Sequence, residues 1–132
     1  MTRFWISALG YELQPVPVGF GSWDDYWRKV GVPEDELGMG PDSIVDPSRQ
    51  GPRIWFQIVD EPKVTKNRLH LDLGVSGGRG FPIEVRKHRV EAEATRLTGL
   101  GATRVGVLSD GAGIDHYAVA MTDPEGNEFD IN

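Results

Sequence analysis

The sequence contains no cysteine among its 132 residues. That absence excludes a disulfide framework, a thiolate metal site and a thiol nucleophile. Long hydrophobic runs are missing as well, since no apolar stretch approaches the roughly 20 residues that a membrane helix requires. Positive charge is also scarce, with 14 Lys and Arg against 20 Asp and Glu and a net charge of -6. This balance argues against a nucleic-acid-binding surface, which needs a basic face.

The N-terminal segment, residues 1–10, carries one basic residue and an apolar stretch too short for a secretory signal peptide. We therefore expect a cytoplasmic protein that binds neither nucleic acid nor membrane. The length suits one domain with a real hydrophobic core. Glycine is abundant, at 17 residues beside 9 prolines, and this composition indicates many tight turns between short elements and a strand-rich fold.

Hydrophobic periodicity predicts a mixed α+β chain. Helices are predicted over residues 2–9, 22–30 and 82–100. Strands are predicted over residues 11–16, 42–47, 53–59, 68–75, 103–108, 116–121 and 128–131, with turns at 110–113 and 123–127. The second half thus runs strand, helix and three strands, a βαβββ module at 67–132. The first half, at 1–62, has the same order but lacks the opening strand.

Polar side chains alternate with leucines in the strand predicted over residues 68–75. Leu69, Leu71 and Leu73 share one face, and His70 and Asp72 share the other. A histidine in this position is either hydrogen-bonded in the core or a ligand of a metal ion, and the residues alone leave both open. By the same alternation Trp55 shares a face with Gln57 in the strand over 53–59.

Aromatic side chains are concentrated in the helix predicted over residues 22–30. Trp23, Tyr26 and Trp27 fall on one face at helical spacing, a pattern more often found in a core than around a ligand. Trp55, by contrast, is placed to line a pocket and stack on a flat ligand.

Four segments carry a resemblance to a known family. In order along the chain they are Phe4–Glu12, Asn67–Leu73, Leu100–Thr103 and Asp123–Phe129. Together they resemble the glyoxalase-like domain of the vicinal oxygen chelate superfamily, which includes glyoxalase I, bleomycin-resistance proteins and extradiol dioxygenases. The resemblance implies two βαβββ modules whose mixed, curved sheets form a cup around a divalent metal.

The resemblance also implies a set of site residues. His70 on the opening strand of the second module, Gln57 on the last strand of the first and Asp130 on the closing strand stand where the family places metal ligands. The family's remaining ligand lies on the opening strand that this chain lacks, so a longer native N-terminus would bear on the site. Imidazole, amide and carboxylate donors suit Zn, Ni, Fe, Mn or Co.

Two functions follow from this resemblance. The first is a metal-assisted lyase, isomerase or dioxygenase acting on a small oxygenated molecule, with Asp130 and Gln57 catalytic and with Trp55, Trp23 and Trp27 against the substrate. The second is a metal-free protein that binds and sequesters a small molecule, as bleomycin-resistance proteins do. A homodimer is expected in both cases, because an unpaired sheet edge invites another chain.

Overall fold

The computed structural model describes residues 1–38, 40–109 and 115–132. The chain divides into two compact units, Met1–Val59 and Asp60–Asn132. Within the described residues no helix combines the length and the apolar character needed to cross a lipid bilayer. The turn predicted at 110–113 lies outside the described residues. Helices and strands are both present, so the predicted α+β class is confirmed.

The first unit contains two helices and three short strands. In chain order these are α1 (Thr2–Leu9), β1 (Glu12–Leu13), α2 (Trp23–Val30), a 3-10 turn (Glu34–Glu36), β2 (Ser43–Val45) and β3 (Ile54–Trp55). The strands form an antiparallel sheet in the order β1-β2-β3. Phe4 and Trp5 of α1 and Ile44 of β2 are its buried hydrophobic residues.

Local sequence signals explain where the helices of the first unit begin and end. Gly10 takes a left-handed backbone with φ of 68° after the last residue of α1, a conformation that glycine adopts at little cost. The hydroxyl of Ser22 accepts a hydrogen bond from the Asp25 backbone N–H at 3.1 Å and caps the start of α2. Gly31 ends α2 in the same way as Gly10 ends α1, with φ of 92°.

The second unit contains one long helix and four strands. In chain order these are β4 (Leu71–Leu73), α3 (Ile83–Gly99), β5 (Thr103–Leu108), β6 (Ala118–Thr122) and β7 (Glu128–Ile131). The sheet order is β4-β7-β6-β5. β4 and β7 run parallel, whereas β7, β6 and β5 are antiparallel neighbours. β7 is therefore an inner strand, and β4 lies at one edge.

The core of the second unit lies between α3 and one face of the sheet. Its fully buried apolar residues are Val90, Ala94 and Leu97 of α3, Val119 and Met121 of β6, and Phe129 and Ile131 of β7. The turn before β7 is held by Asp123, whose carboxylate accepts hydrogen bonds from the Glu125 and Asn127 backbone N–H groups at 3.0 and 2.9 Å. This turn was predicted from its residue types, and the structure confirms it.

Several strands are shorter than predicted. β1 covers only Glu12–Leu13 of the residues expected over 11–16, and β2 covers only Ser43–Val45 of those expected over 42–47. The strand expected over 53–59 is paired only at Ile54–Trp55, and the strand expected over 68–75 only at Leu71–Leu73. Each of the latter two lies at a sheet edge with a single neighbour, so the length of that neighbour limits the ladder. Leu69 precedes β4 and is 84% exposed. It therefore does not belong to the apolar strand face predicted from Leu69, Leu71 and Leu73.

Candidate functional site

Asp130 lies at the centre of the four-stranded sheet. Its neighbours in β7, Phe129 and Ile131, are 1% and 0% exposed in the core. Because side chains alternate along a strand, Asp130 points to the opposite face of the sheet. Its side chain is 19% exposed, so the polar face around this carboxylate is itself partly closed to water.

β4 brings His70 and Asp72 to the same region. The parallel register places Asp72 beside Asp130, and His70 comes immediately before β4. The imidazole Nδ1 lies 3.1 Å from Oδ1 of Asp72, and Nε2 lies 3.6 Å from Oδ1 of Asp130. One imidazole ring thus stands between two carboxylates that neighbouring strands hold side by side.

The electrostatics of this cluster set Asp130 apart from an ordinary surface acid. Burial raises the pKa of its carboxyl group, and the negative charge of Asp72 raises it further. His70, His116 and Lys66 act in the opposite direction but do not outweigh burial. A carboxylate of this kind is more basic than usual, which suits both cation binding and proton transfer.

Glu128 shares the strand face of Asp130 but is engaged elsewhere. Its carboxylate accepts hydrogen bonds from the Asn67 backbone N–H at 3.0 Å and from Nζ of Lys63 at 3.1 Å. These bonds lower the pKa of Glu128, with the Asn67 bond contributing most. Glu128 therefore anchors the segment that leads into His70.

Two of the residues predicted for the site lie in the first unit. Trp55 of β3 is 52% exposed, and its indole N–H donates a hydrogen bond to the Asp42 carboxylate. Gln57 follows the end of β3 and is exposed. The alternation that placed Gln57 and Trp55 on one face requires a strand through residue 57, and the paired strand ends at Trp55. The proposed role of Gln57 stays a prediction.

The aromatic face predicted on α2 is present. The rings of Trp23 and Trp27 stack with centroids 5.3 Å apart, and Tyr26 contacts both rings edge-on. Phe20 packs against Tyr26 at 5.3 Å. The indole N–H of Trp23 donates to the Gln14 carbonyl at 3.2 Å. All four rings are half-buried, and their binding of a substrate stays a prediction.

Asp72 was not among the residues predicted for the site. The alternation in residues 68–75 had already placed it on the face of His70, which is the signal that could have identified it. The missing information was the parallel register with β7, since only that register puts Asp72 beside Asp130. His88, in contrast, is exposed on α3, away from any such cluster among the described residues.

The donor atoms of His70, Asp72 and Asp130 fit a divalent cation. One ligand atom from each side chain can be chosen so that all three lie within 4.8 Å of one another. One imidazole nitrogen with carboxylate oxygens is a donor set that suits Zn, Mn, Fe, Co or Ni. Of the three predicted ligands, the structure brings His70 and Asp130 together and adds Asp72.

Comparison with known proteins gives matches among solved structures but none among proteins of curated function. Among solved structures, a glyoxalase/bleomycin resistance protein/dioxygenase family enzyme from Burkholderia phytofirmans PsJN is similar, with 14% identity, a TM-score of 0.47, and coverage of 100% of this chain and 86% of its own. A hypothetical protein from S. aureus has 16% identity and a TM-score of 0.43, and the match covers 97% and 78% of the two chains.

The similarity to these two structures is too low to carry an argument about the site. A family model, however, matches the whole chain. Residues 1–132 fit the model described as a glyoxalase-like domain, which agrees with the resemblance found in the four sequence segments. The chain therefore belongs to the glyoxalase-like domain family of the vicinal oxygen chelate superfamily.

Proposed function

We propose that this glyoxalase-like protein is a cytoplasmic, metal-dependent enzyme whose ion is held by His70 and Asp130. The observation that carries the proposal is the meeting of an imidazole and a partly buried carboxylate, 3.6 Å apart, on the polar face of the second sheet. An imidazole nitrogen and a carboxylate oxygen are donor types that divalent transition metals accept, and here the sheet holds the two side by side. The substrate class is a small molecule with two adjacent oxygen atoms.

Each side chain has a definite part in this proposal. A divalent ion would polarise a substrate oxygen, which is the chemistry that such an ion supplies when bound. Asp130 would also be the proton acceptor of the site, since a carboxylate held beside a bound substrate can serve as a general base. Asp130 would take a proton from a substrate carbon beside the polarised oxygen and return it to the adjacent atom. Gln57 and Trp55 remain candidates for contacts with the substrate.

Metal titration of the purified protein tests the proposal. The protein is stripped with a chelator and titrated by calorimetry with Zn²⁺, Ni²⁺, Co²⁺ and Mn²⁺ in separate runs. We expect one ion per chain, and we expect His70→Ala and Asp130→Asn to weaken binding by about 100-fold or more, because even the loss of an outer-shell partner costs 10–100-fold. His88→Ala is the matched control, since His88 lies exposed on α3.

Two results would contradict the metal site. One is the absence of saturable binding for all four ions in a protein whose circular dichroism is that of a folded chain. The other is equal weakening in His70→Ala and His88→Ala, because a nonspecific effect of histidine loss would then explain the data.

The second candidate function, metal-free binding of a flat small molecule, is favoured by Trp55. Its indole ring is half-exposed, yet its N–H is fixed by Asp42, and a ring held in this way can stack on a ligand at little entropic cost. Quenching of tryptophan fluorescence by an aromatic dye in the presence of a chelator tests it. Loss of quenching in Trp55→Leu but not in Trp5→Phe, a change at a buried tryptophan, would support this function, and unchanged quenching in Trp55→Leu would refute it.

A further inference from the structure

The imidazole of His70 has different relations to its two carboxylate neighbours. Nδ1 lies within hydrogen-bond distance of Asp72, at 3.1 Å, whereas Nε2 and Asp130 are 3.6 Å apart. We propose that Asp72 is a positioning residue: it accepts a hydrogen bond from Nδ1–H of His70 and so directs the lone pair of Nε2 toward Asp130 and the ion. The proposal rests on the metal site proposed above and assigns the roles within it.

The distances from the two imidazole nitrogens to their carboxylate neighbours indicate different relations. One is a hydrogen-bond length, and the other is close to the spacing of two ligands on one ion. A nitrogen and an oxygen bound to one tetrahedral zinc ion at about 2.1 Å each lie roughly 3.4 Å apart. The 3.6 Å between Nε2 and Asp130 is close to that value and longer than a good hydrogen bond. The 3.1 Å between Nδ1 and Asp72 is an ordinary hydrogen-bond length, so this side of the ring already has its partner.

Exposure supports the same assignment. The side chain of Asp130 is 19% exposed and that of Asp72 is 64% exposed. Asp72 therefore remains well hydrated, whereas Asp130 has lost much of its water and gains more from a cation. Asp72 of the edge strand β4 also follows His70 by only two residues, so it moves with the ring that it orients.

A hydrogen bond of this kind has two consequences for His70. It selects the Nδ1–H tautomer, since the proton stays on the nitrogen that faces the carboxylate. It also makes Nε2 a stronger donor to a metal and fixes the direction of the ring. The alternative is that Asp72 binds the ion directly as a third ligand, and the two roles differ in what they require of residue 72.

Nuclear magnetic resonance of the histidine rings in the metal-free protein tests the tautomer. The spectrum is recorded at an alkaline pH chosen so that the ring signals no longer change when base is added. We expect His70 to be mainly the Nδ1–H tautomer and to shift toward Nε2–H in Asp72→Ala. His88 serves as the internal control, because its signals should not change. A wild-type His70 that is mainly Nε2–H would overturn the proposal.

Calorimetric titration with Zn²⁺ then separates positioning from ligation. Asp72→Asn keeps an oxygen that can accept from Nδ1–H, so we expect it to lose less than about 10-fold in affinity, and Asp72→Ala to lose about 10–100-fold. If Asp72 is a ligand, both variants should lose as much as Asp130→Asn, because an amide oxygen replaces a carboxylate poorly. That result overturns the positioning role.

The metal titration and the tautomer measurement test separate claims. If the protein binds no ion, the proposed function is refuted while the tautomer measurement, made without metal, still decides what Asp72 does to His70. If the ion binds but the tautomer is unchanged in Asp72→Ala, the metal site stands and the role of Asp72 is refuted. Both variants are suited to the test because Asp72 is an exposed edge-strand residue.

Discussion

One carboxylate of α3 links the helix to the sheet by hydrogen bonds, and its removal has a predictable effect. Glu91 of α3 accepts two hydrogen bonds from the guanidinium group of Arg104 in β5, at 2.6 and 2.8 Å, and a third from the hydroxyl of Tyr117. These bonds, that of Arg104 above all, lower the pKa of Glu91 from 4.5 to about 2. We expect Glu91→Gln to destabilise the folded second unit.

The size of the effect follows from this pKa with a correction for solvent. Taken at full value, the lowering corresponds to about 3.4 kcal/mol of folding stability. The side chains of Glu91 and Arg104 are each 39% exposed, and water screens a pair of this kind substantially. The two-bond geometry with Arg104 keeps it above an ordinary surface pair. We therefore expect a loss of about 1–2 kcal/mol at neutral pH.

The pH dependence of this loss has a definite sign. The pKa of Glu91 is lower in the folded chain than in the unfolded one, so its contribution is complete above pH 4.5 and disappears as the pH falls toward 2. Glutamine does not titrate. The difference in unfolding free energy between wild type and Glu91→Gln should therefore shrink across that range.

Urea unfolding, followed by far-ultraviolet circular dichroism, measures this difference at several pH values. Circular dichroism is preferred because α3 dominates the helical signal of the second unit, whereas the tryptophans lie within the first. Glu84→Gln is the control: Glu84 pairs with Lys87 on the same helix at 78% exposure, so we expect a change within about 0.5 kcal/mol. A Glu91→Gln effect that is independent of pH, or equal to that of Glu84→Gln, would refute the reasoning.

Three further predictions concern packing, backbone and assembly. Phe129→Ala, at a fully buried position in β7, should cost about 3–5 kcal/mol in urea unfolding, and a cost below about 1 kcal/mol would contradict the described core. Gly77→Ala should destabilise more than Gly78→Ala. Both glycines have positive φ, but only at Gly77 would a Cβ press on the Phe81 ring and on the Arg89 guanidinium, which is held by the Ser76 carbonyl; equal melting temperatures would contradict this. We also propose a homodimer, because β1 and β3 are the edge strands of the first sheet in the described part of the chain; a monomeric mass by light scattering at micromolar concentration would refute it.

Elements whose ends are set by local residue preferences lie where the sequence predicts them. The predicted bounds of α1, β5 and β7 match the observed Thr2–Leu9, Thr103–Leu108 and Glu128–Ile131. Each is delimited by residues with strong preferences of their own, such as Gly10 after α1. The Asp123 turn before β7 was predicted for the same reason.

The length of a strand is harder to predict when it is limited by the neighbouring strand with which it pairs. β-branched and aromatic residues made residues 53–59 look like a full strand, but β3 has only β2 to pair with and stops at Trp55. The site shows the same limit. His70 and Asp130 came from a resemblance to the family, whereas Asp72 required the parallel register of β4 with β7, which no pattern within one strand encodes.

The edge position of β4 has a consequence for local unfolding. This strand is three residues long, and among the described strands it pairs with β7 alone. Its amide protons should therefore exchange with solvent through small openings that leave the rest of the sheet paired. Each such opening carries His70 and Asp72 away from Asp130 together. A cation shared across β4 and β7 would suppress these openings, so slower amide exchange in β4 would report occupancy of the site before any substrate is known.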